Sequence, residues 1–384
     1  MARHAGQIIQ RGENCWLVRI FLGRDNQSGK RSYHNKTIHG TRKDAQRYLN
    51  AQLRDKDLGV FAAPTTEPLN DYLDRWLAEA AKPKLKQKTL RDYQNLLRRY
   101  IRPTIGARPL AKITALEIQS MYAALLEKGL SARTVRYTHA VLRSALHQAR
   151  KWHLLAINPA DAVELPKNTR REIHVLTPEQ ARAFLEACEN DRLGALFALA
   201  MTAGPRPSEY LALKWSDFDD AAGTIRIART LEWIEGGGWG FAETKRRGSR
   251  RTIKLQQHVV KALNDHRLAR QAAKDSAGDR WTDHNLIFTT RTGGPLSERN
   301  VAQQDFIRVL GAAGLPLDFR LYDLRHTAAT LALSAGVPPK VVSEMLGHAS
   351  AAFTLDVYAH VLPHMQDSAA AQVEALLLNR KRDN

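Results

Sequence analysis

Cysteine is nearly absent from this chain: two in 384 residues, Cys15 and Cys188. Far apart in sequence, they suggest neither a disulfide framework nor a metal-binding knuckle. Long hydrophobic runs are missing as well. The longest apolar stretch, Leu193–Ala203, has 11 residues, too short to span a bilayer, and the opening MARHAGQIIQRGEN holds no apolar signal core. The expectation is a reduced, cytoplasmic protein with no membrane partner. There is no Asp/Glu cluster at metal-site spacing and no glycine-rich phosphate loop of the GxxxxGKS or GxxxxGKT type. A metal-dependent transposase would need a carboxylate triad, for which no spacing qualifies, so no metal and no cofactor are expected. Acidic side chains are in short supply: 39 Asp and Glu stand against 58 Lys and Arg, giving a net charge of +19 and a pI of about 10.1.

That imbalance is local. Residues 1–64 carry 12 basic and 5 acidic groups, residues 65–170 carry 19 and 9, and residues 171–384 carry 27 and 25. A polyanion partner for the first 170 residues follows, because each Lys or Arg set on a phosphate releases counterions. At 43% hydrophobic and 25% charged, the rest of the composition is that of an ordinary globular chain, long enough for two or three domains.

In order, Cys15–Leu22 and Arg31–Ile38 read as strands across the turn-rich Asp25–Gly29. Thr41–Asp44 opens a helix with Leu49, Leu53 and Leu58 along one face. Phe61–Pro68 reads as a linker. Four helical patterns follow. Leu69–Ala80 is amphipathic, and Thr89–Tyr100 comes after a lysine run of Lys82, Lys84, Lys86 and Lys88. Thr114–Glu117 is a capping box opening a helix through Leu126. Ser131–Trp152 has Val135, Leu142 and Leu146 as its stripe, with Arg133, Arg136, Arg143 and Arg150 elsewhere. An all-helical, strongly basic unit suits a clamp on a duplex, with Lys82, Lys84, Lys86, Lys88, Arg133 and Arg136 as candidate DNA contacts. From about residue 171 the texture turns mixed. Thr177–Gln180 is a second capping box with Pro178 at its first helical position, and Leu193–Ala203 reads as a buried helix. Short strands are expected at Thr224–Thr230, Phe241–Thr244 and Arg251–Leu255. Helices are expected at Gln257–Asp275, Ser297–Ala313, Asp323–Ala335, Pro338–Leu346 and Ala369–Lys381.

Four motifs in this last part carry chemistry. In AGPRPSEYLALKWSD, Arg206 precedes a helix start, where five donors beside a positive dipole end make an anion clamp, and Glu209 is spaced to hold it. Glu243–Arg251, ETKRRGSRR, is a basic hairpin tip. One lysine there could protonate a leaving oxygen, or the whole cluster, Arg246 and Arg247 included, could contact DNA backbone; the sequence leaves both open. In LYDLRHT, Arg325 starts another helix, and two arginines on one phosphate neutralise the charge that builds on its non-bridging oxygens. Finally, Leu346-Gly347-His348 is followed ten residues later by Tyr358. His348 could bond the phosphate or accept the tyrosine proton. Tyr358 could act as nucleophile if cations offset a phenol pKa of about 10.

The ordered set, AGPRPSEYLALKWSDFD, a hairpin lysine, LYDLRHTAATLALSAG, MLGHAS and LDVYAHV, resembles the tyrosine recombinase (phage integrase) family over about residues 171–362. Residues 65–170 look like the family's helical core-binding domain. Residues 1–60 look like its arm-binding domain by size, order and charge. The resemblance implies an α+β multidomain fold: a small three-stranded sheet plus helix at 1–62, an all-helical (SAM-like) domain at 65–168, and a mixed, mainly helical catalytic domain with a small antiparallel sheet at 171–384. It implies a site-specific recombinase of a phage or mobile element, acting near the nucleoid of a bacterial host. By family role, Arg206 and Arg325 clamp the phosphate, Lys245 protonates the departing 5′-hydroxyl, His348 takes the second histidine position, Tyr358 forms a 3′-phosphotyrosyl bond, and Glu209 supports the site. Transesterification conserves the phosphodiester energy, so neither ATP nor a metal is implied. Two departures stand out. Tyr322 occupies the position three before Arg325 where the family usually has histidine; it can donate a hydrogen bond but is no cation at neutral pH, so its role is supporting. Pro205 and Pro207 flank Arg206 and stiffen its loop. Implied partners are double-stranded attachment sites, copies of the chain in a synaptic tetramer, and an excisionase or DNA-bending host factor. The C-terminal helix would pack on a neighbouring protomer, or else in cis. The rival readings are a catalytically idle DNA-binding regulator and a type IB topoisomerase.

Overall fold

The fold is described from a computed structural model. The structure describes residues 6–24, 29–57, 66–168, 173–234, 237–243, 249–358 and 374. It divides into two compact units, Met1–Arg170 and Arg171–Asn384. The segments 1–62 and 65–168 both fall in the first unit, each with a core of its own.

The first of those cores belongs to a three-stranded antiparallel sheet in the order β1 (Gly6–Gly12), β2 (Cys15–Arg24), β3 (Arg31–His39) and a helix, α1 (Arg42–Asp57). Strand β1 has no counterpart among the strands read from residue pattern. Its sequence, GQIIQRG, is short and framed by glycines, and pairing with β2 holds it, with Ile8 opposite Val18. Thr41 caps α1, its hydroxyl and amide both bonded to Asp44 at 2.7 and 2.9 Å. Val18, Ile20, Ala45 and Leu49 form the core; Leu58 lies outside the described residues.

The second core is all helical. Helix α2 (Leu69–Trp76) runs into a π turn at Leu77–Ala81, and α3 (Gln87–Leu96) continues through another at Leu97–Ile101 into α4 (Arg102–Ile105). Helices α5 (Ala115–Glu127) and α6 (Ala132–Lys151) start where the caps place them: Thr114 and Glu117 form a reciprocal box, and the Ser131 hydroxyl accepts from Thr134. Leu69, Tyr72, Trp76, Leu97, Ile118, Tyr122, Val135, Leu142 and Leu146 pack together, which is the apolar stripe of each helix turned to one centre. The end of the expected linker is tied down here, since Leu110 donates to the Glu67 carbonyl at 2.9 Å.

The second unit is built around α8 (Gly194–Ala203), which is apolar all round and buried along nearly its whole length. Helix α7 (Pro178–Glu189) starts at the expected capping box. A single turn, α9 (Pro207–Tyr210), follows α8. The expected strand Thr224–Thr230 is two strands in different sheets: β5 (Thr224–Ile227) joins β4 (Phe218–Asp219) and β8 (Arg251–Lys254), whereas β6 (Arg229–Ile234) pairs with β7 (Gly238–Glu243) in a two-stranded sheet. The β6–β7 ladder sets Trp233 opposite Trp239 and Leu231 opposite Phe241, so β7 begins earlier than the expected Phe241. After α10 (Gln257–Ala277) come α11 (Glu298–Asn300) and α12 (Phe306–Ala312), joined by a π turn, then α13 (Asp323–Ser334), α14 (Pro339–Leu346) and α15 (Ala351–Tyr358). Helix α15 was not among the expected elements. The expected helix Ala369–Lys381 lies, but for residue 374, outside the described residues.

Candidate active site

Glu209, only 2% exposed, organises one side of the site. One carboxylate oxygen accepts from Arg206 Nη1 at 2.8 Å, and the other accepts from the Arg206 backbone N–H and from Arg251 Nη2, both at 2.9 Å. Burial alone would raise this carboxyl. The Arg251 hydrogen bond and charge, with the Arg206 contacts, outweigh it and hold the group below the usual carboxylate range. The helix that Arg206 precedes is one turn long, so fixed hydrogen-bond partners rather than a helix dipole set its guanidinium.

The two arginines are also bonded to the end of α14. Arg206 Nη2 donates to the Gly347 carbonyl at 3.1 Å and Arg251 Nε to the Met345 carbonyl at 2.6 Å, filling acceptors that a helix leaves open at its C-terminus. Gly347 sits at φ +67°, and a Cβ there would lie 2.8 Å from Arg251 Nη1. The site needs glycine here twice over, for the left-handed backbone and for the space.

Arg325, in the first turn of α13 and 2% exposed, donates from Nη1 to the Gly204 carbonyl at 2.6 Å. Gly204 is the left-handed cap of α8, at φ +61°, and a Cβ would come within 2.6 Å of Leu346. Burial first, then the Arg206 charge, pull the guanidinium down to about 10, which leaves it protonated at neutral pH. Its Nη2 is buried without a hydrogen-bond partner among the described residues. An unmet donor of this kind costs free energy until an acceptor arrives.

His348 follows Gly347, its Nδ1 2.8 Å from the buried Thr354 hydroxyl on α15. Burial, then Arg325, Arg206 and Arg251, push it down to about 4, so the ring is neutral at pH 7. A neutral ring that accepts from the Thr354 hydroxyl at Nδ1 carries its proton on Nε2, where it can be donated to an oxyanion. Tyr358 ends α15 and is 1% exposed. Its hydroxyl is 2.8 Å from His326 Nδ1. Burial pushes the phenol up to about 12, against the Arg325 charge.

Arg206, Glu209, Arg325, His348 and Tyr358 are thus brought together. Lys245, Arg246 and Arg247 lie outside the described residues; the strands on either side of that connection are β7 and β8. Tyr322 is 44% exposed, its ring edge-on to His326 with centroids 5.5 Å apart, and it bears electrostatically on Arg325 and Tyr358. Lys82, Lys84, Lys86, Lys88 and Arg133 are exposed on the helical core, as is Arg136, which donates to the Pro166 carbonyl. Three residues of the site were not singled out in the sequence. Arg251 had a signal: in a strand it shares a face with Ile253, the buried position two residues on. His326 had none beyond adjacency to Arg325, and Thr354 none beyond standing one helical turn before Tyr358. Among the described residues no helix is long and apolar enough to cross a membrane.

The chain matches known proteins in sequence and fold. The model of the phage integrase family matches residues 174–365, and that of the phage integrase N-terminal SAM-like domain matches residues 69–126. An integrase of Streptomyces ambofaciens is 30% identical over 352 residues, 89% of this chain and 88% of its own. A XerC-like tyrosine recombinase of Caldanaerobacter subterraneus subsp. tengcongensis is 27% identical over 96% of this chain and 98% of its own. Among solved structures, the Tn1549 transposon integrase in complex with a circular intermediate DNA superposes with a TM-score of 0.67 at 22% identity, covering 80% of this chain and 99% of that one. A lambda integrase tetramer bound to a Holliday junction gives 0.57 at 21%, covering 90% and 96%. A family match that begins just before α7 and takes in the arginines, the histidine and the tyrosine in one sweep settles the kinship: this chain belongs to the phage integrase family of tyrosine recombinases.

Proposed function

We propose that the site holds the scissile phosphodiester of a DNA attachment site and that Tyr358 attacks it. The chain is a site-specific recombinase of the phage and mobile-element kind, working by transesterification. The observation that carries the residue roles is the Arg325 Nη2 donor, buried and unmet, in a site where Arg206, Arg251 and Arg325 all bear electrostatically on His348. A non-bridging phosphate oxygen is the acceptor such a donor requires. Arg206 and Arg325 clamp the phosphate, Glu209 fixes Arg206, and the Nε2–H of neutral His348 adds a further donor. Lys245 protonates the 5′-oxygen as it leaves, and Tyr322 has a supporting role at the rim. The product is a 3′-phosphotyrosyl link that stores the bond energy for rejoining.

The exposed lysines Lys82, Lys84, Lys86 and Lys88, with Arg133 and Arg136, make the helical segment 65–168 a clamp on the core site, with Arg246 and Arg247 adding backbone contacts from the catalytic side. The segment 1–62 is then an arm-site reader. The working assembly is a tetramer on two duplexes, joined by an excisionase or DNA-bending factor, in the cytoplasm where the DNA lies. The test is incubation of the full chain with nicked suicide duplexes carrying candidate attachment sites. A covalent adduct forms with the wild type and is lost in Tyr358→Phe; an adduct that survives that substitution overturns the assignment.

A further inference from the structure

The position three before Arg325 holds Tyr322 where a histidine would be expected. A neutral phenol is a poor proton acceptor, and this one is 44% exposed. One helical turn later on α13 is His326, whose ring meets the Tyr322 ring edge-on and whose Nδ1 lies 2.8 Å from the Tyr358 hydroxyl. That distance is within direct proton-transfer reach. His348 is placed differently: its Nδ1 is taken by Thr354, and it makes no hydrogen bond to Tyr358 among the described residues.

We propose that His326 is the general base of strand cleavage, accepting the Tyr358 proton in place of the histidine that Tyr322 has displaced. The inference rests on Tyr358 being the nucleophile. The Tyr358 O–H bond breaks and its proton passes to His326 Nδ1. The electron pair left on the phenolic oxygen forms the bond to phosphorus. The bond from phosphorus to the 5′-oxygen breaks, and that oxygen takes a proton from the general acid. Rejoining runs the same steps backward, with His326 returning its proton to Tyr358. For Nδ1 to accept, the ring must be neutral with its hydrogen on Nε2. The charged and titratable neighbours are Asp323 and Arg325 on α13, Tyr322 just before it, His348 beyond α14 and Tyr358 itself. Burial leads and Arg325 follows in favouring the neutral ring, against Asp323.

The test is single-turnover adduct formation by the full chain on a suicide duplex, with wild type, His326→Gln and His326→Ala, each checked for unchanged duplex binding. Both variants should slow cleavage by about 10²- to 10⁴-fold, the usual contribution of a positioned acid or base. The loss should persist on a duplex whose scissile 5′-oxygen is replaced by sulfur, a leaving group that needs no protonation, while Lys245→Ala should recover on it. The wild-type rate should fall toward acid pH, a limb that His326→Gln removes. A variant rate within about threefold of wild type, or above it, overturns the proposal. So does rescue by the sulfur substrate, or a wild-type profile with no acid limb, a measurement that needs no variant to fold. Wild type forming adduct while His326→Gln forms it equally fast sinks this inference alone. No adduct with wild type sinks the reading of Tyr358 as well.

Discussion

Two oxygens of Glu209 hold two guanidiniums and one backbone N–H, and Arg251 on the other end of that pair is itself only 7% exposed at its side chain. Cutting the carboxylate back leaves a buried cation without its partner, which costs about 3–5 kcal/mol in comparable pairs. Glu209→Ala should lower the denaturation midpoint of the full chain and cripple adduct formation together, and Glu209→Gln, which keeps one acceptor, should do less. An unchanged midpoint in Glu209→Ala would contradict the arrangement. At this scale the sequence is legible where partners are close along the chain: Glu209 is three residues from Arg206, a spacing at which a side chain reaches back across a helix start. It is opaque where they are distant. Nothing local to Arg251 announces Glu209, 42 residues earlier, and nothing near His326 announces Tyr358, 32 residues later. Those bonds exist because β8 meets α9 and α13 meets α15.

The C-terminal end of α14 is the element on which the two outer arginines are hung, and Gly347 closes it. Gly347→Ala should cost about 1–2 kcal/mol for the left-handed backbone and, in addition, push Arg251 off Glu209, lowering the cleavage rate. Gly336, at φ +80° with nothing within 4 Å of a built Cβ, is the control: Gly336→Ala should carry the strain alone and cleave normally once folded. Equal cleavage by the two variants would refute the steric role of Gly347. Helices with caps were legible in the sequence, because Thr114, Ser131 and Thr177 mark their starts by chemistry that acts within three residues. Helix α15 was not, since AAFTLDVY carries no clear stripe, although Ser350 caps its first turn, the hydroxyl accepting from the Phe353 N–H at 3.2 Å. The split between β5 and β6 was hidden because an alternating pattern runs straight across Ala228, while the change of sheet there is decided by partners far along the chain.

Across the molecule, His34, His139, His266, His326 and His348 are all held below the ordinary histidine value, with burial the leading cause in each. A folded chain that binds fewer protons than the unfolded one loses stability as protons are added. The contribution is therefore complete above about pH 6.5 and is lost as the pH falls, for His348 toward about 4. Melting temperature should drop between pH 7.5 and pH 5 at fixed salt, and a flat or rising profile would contradict the burial of these rings. The outline of the whole was legible from charge and motif order, because both survive without coordinates. The hydrogen-bonded site within it was not.

The guanidinium cluster also sets an electrostatic tally. Arg206, Arg251 and Arg325 against the single carboxylate of Glu209 leave a formal surplus of two positive charges before any contribution from Lys245. A phosphodiester brings one negative charge. The same diester with a phenolate adding to it carries two. The pocket is over-positive when empty and still over-positive with its substrate bound. The proton leaving Tyr358 stays in the site on His326, so the net charge does not change as the bond to phosphorus forms; the second negative charge gathers on the phosphoryl oxygens that the guanidiniums face, and their attraction is greatest for that species.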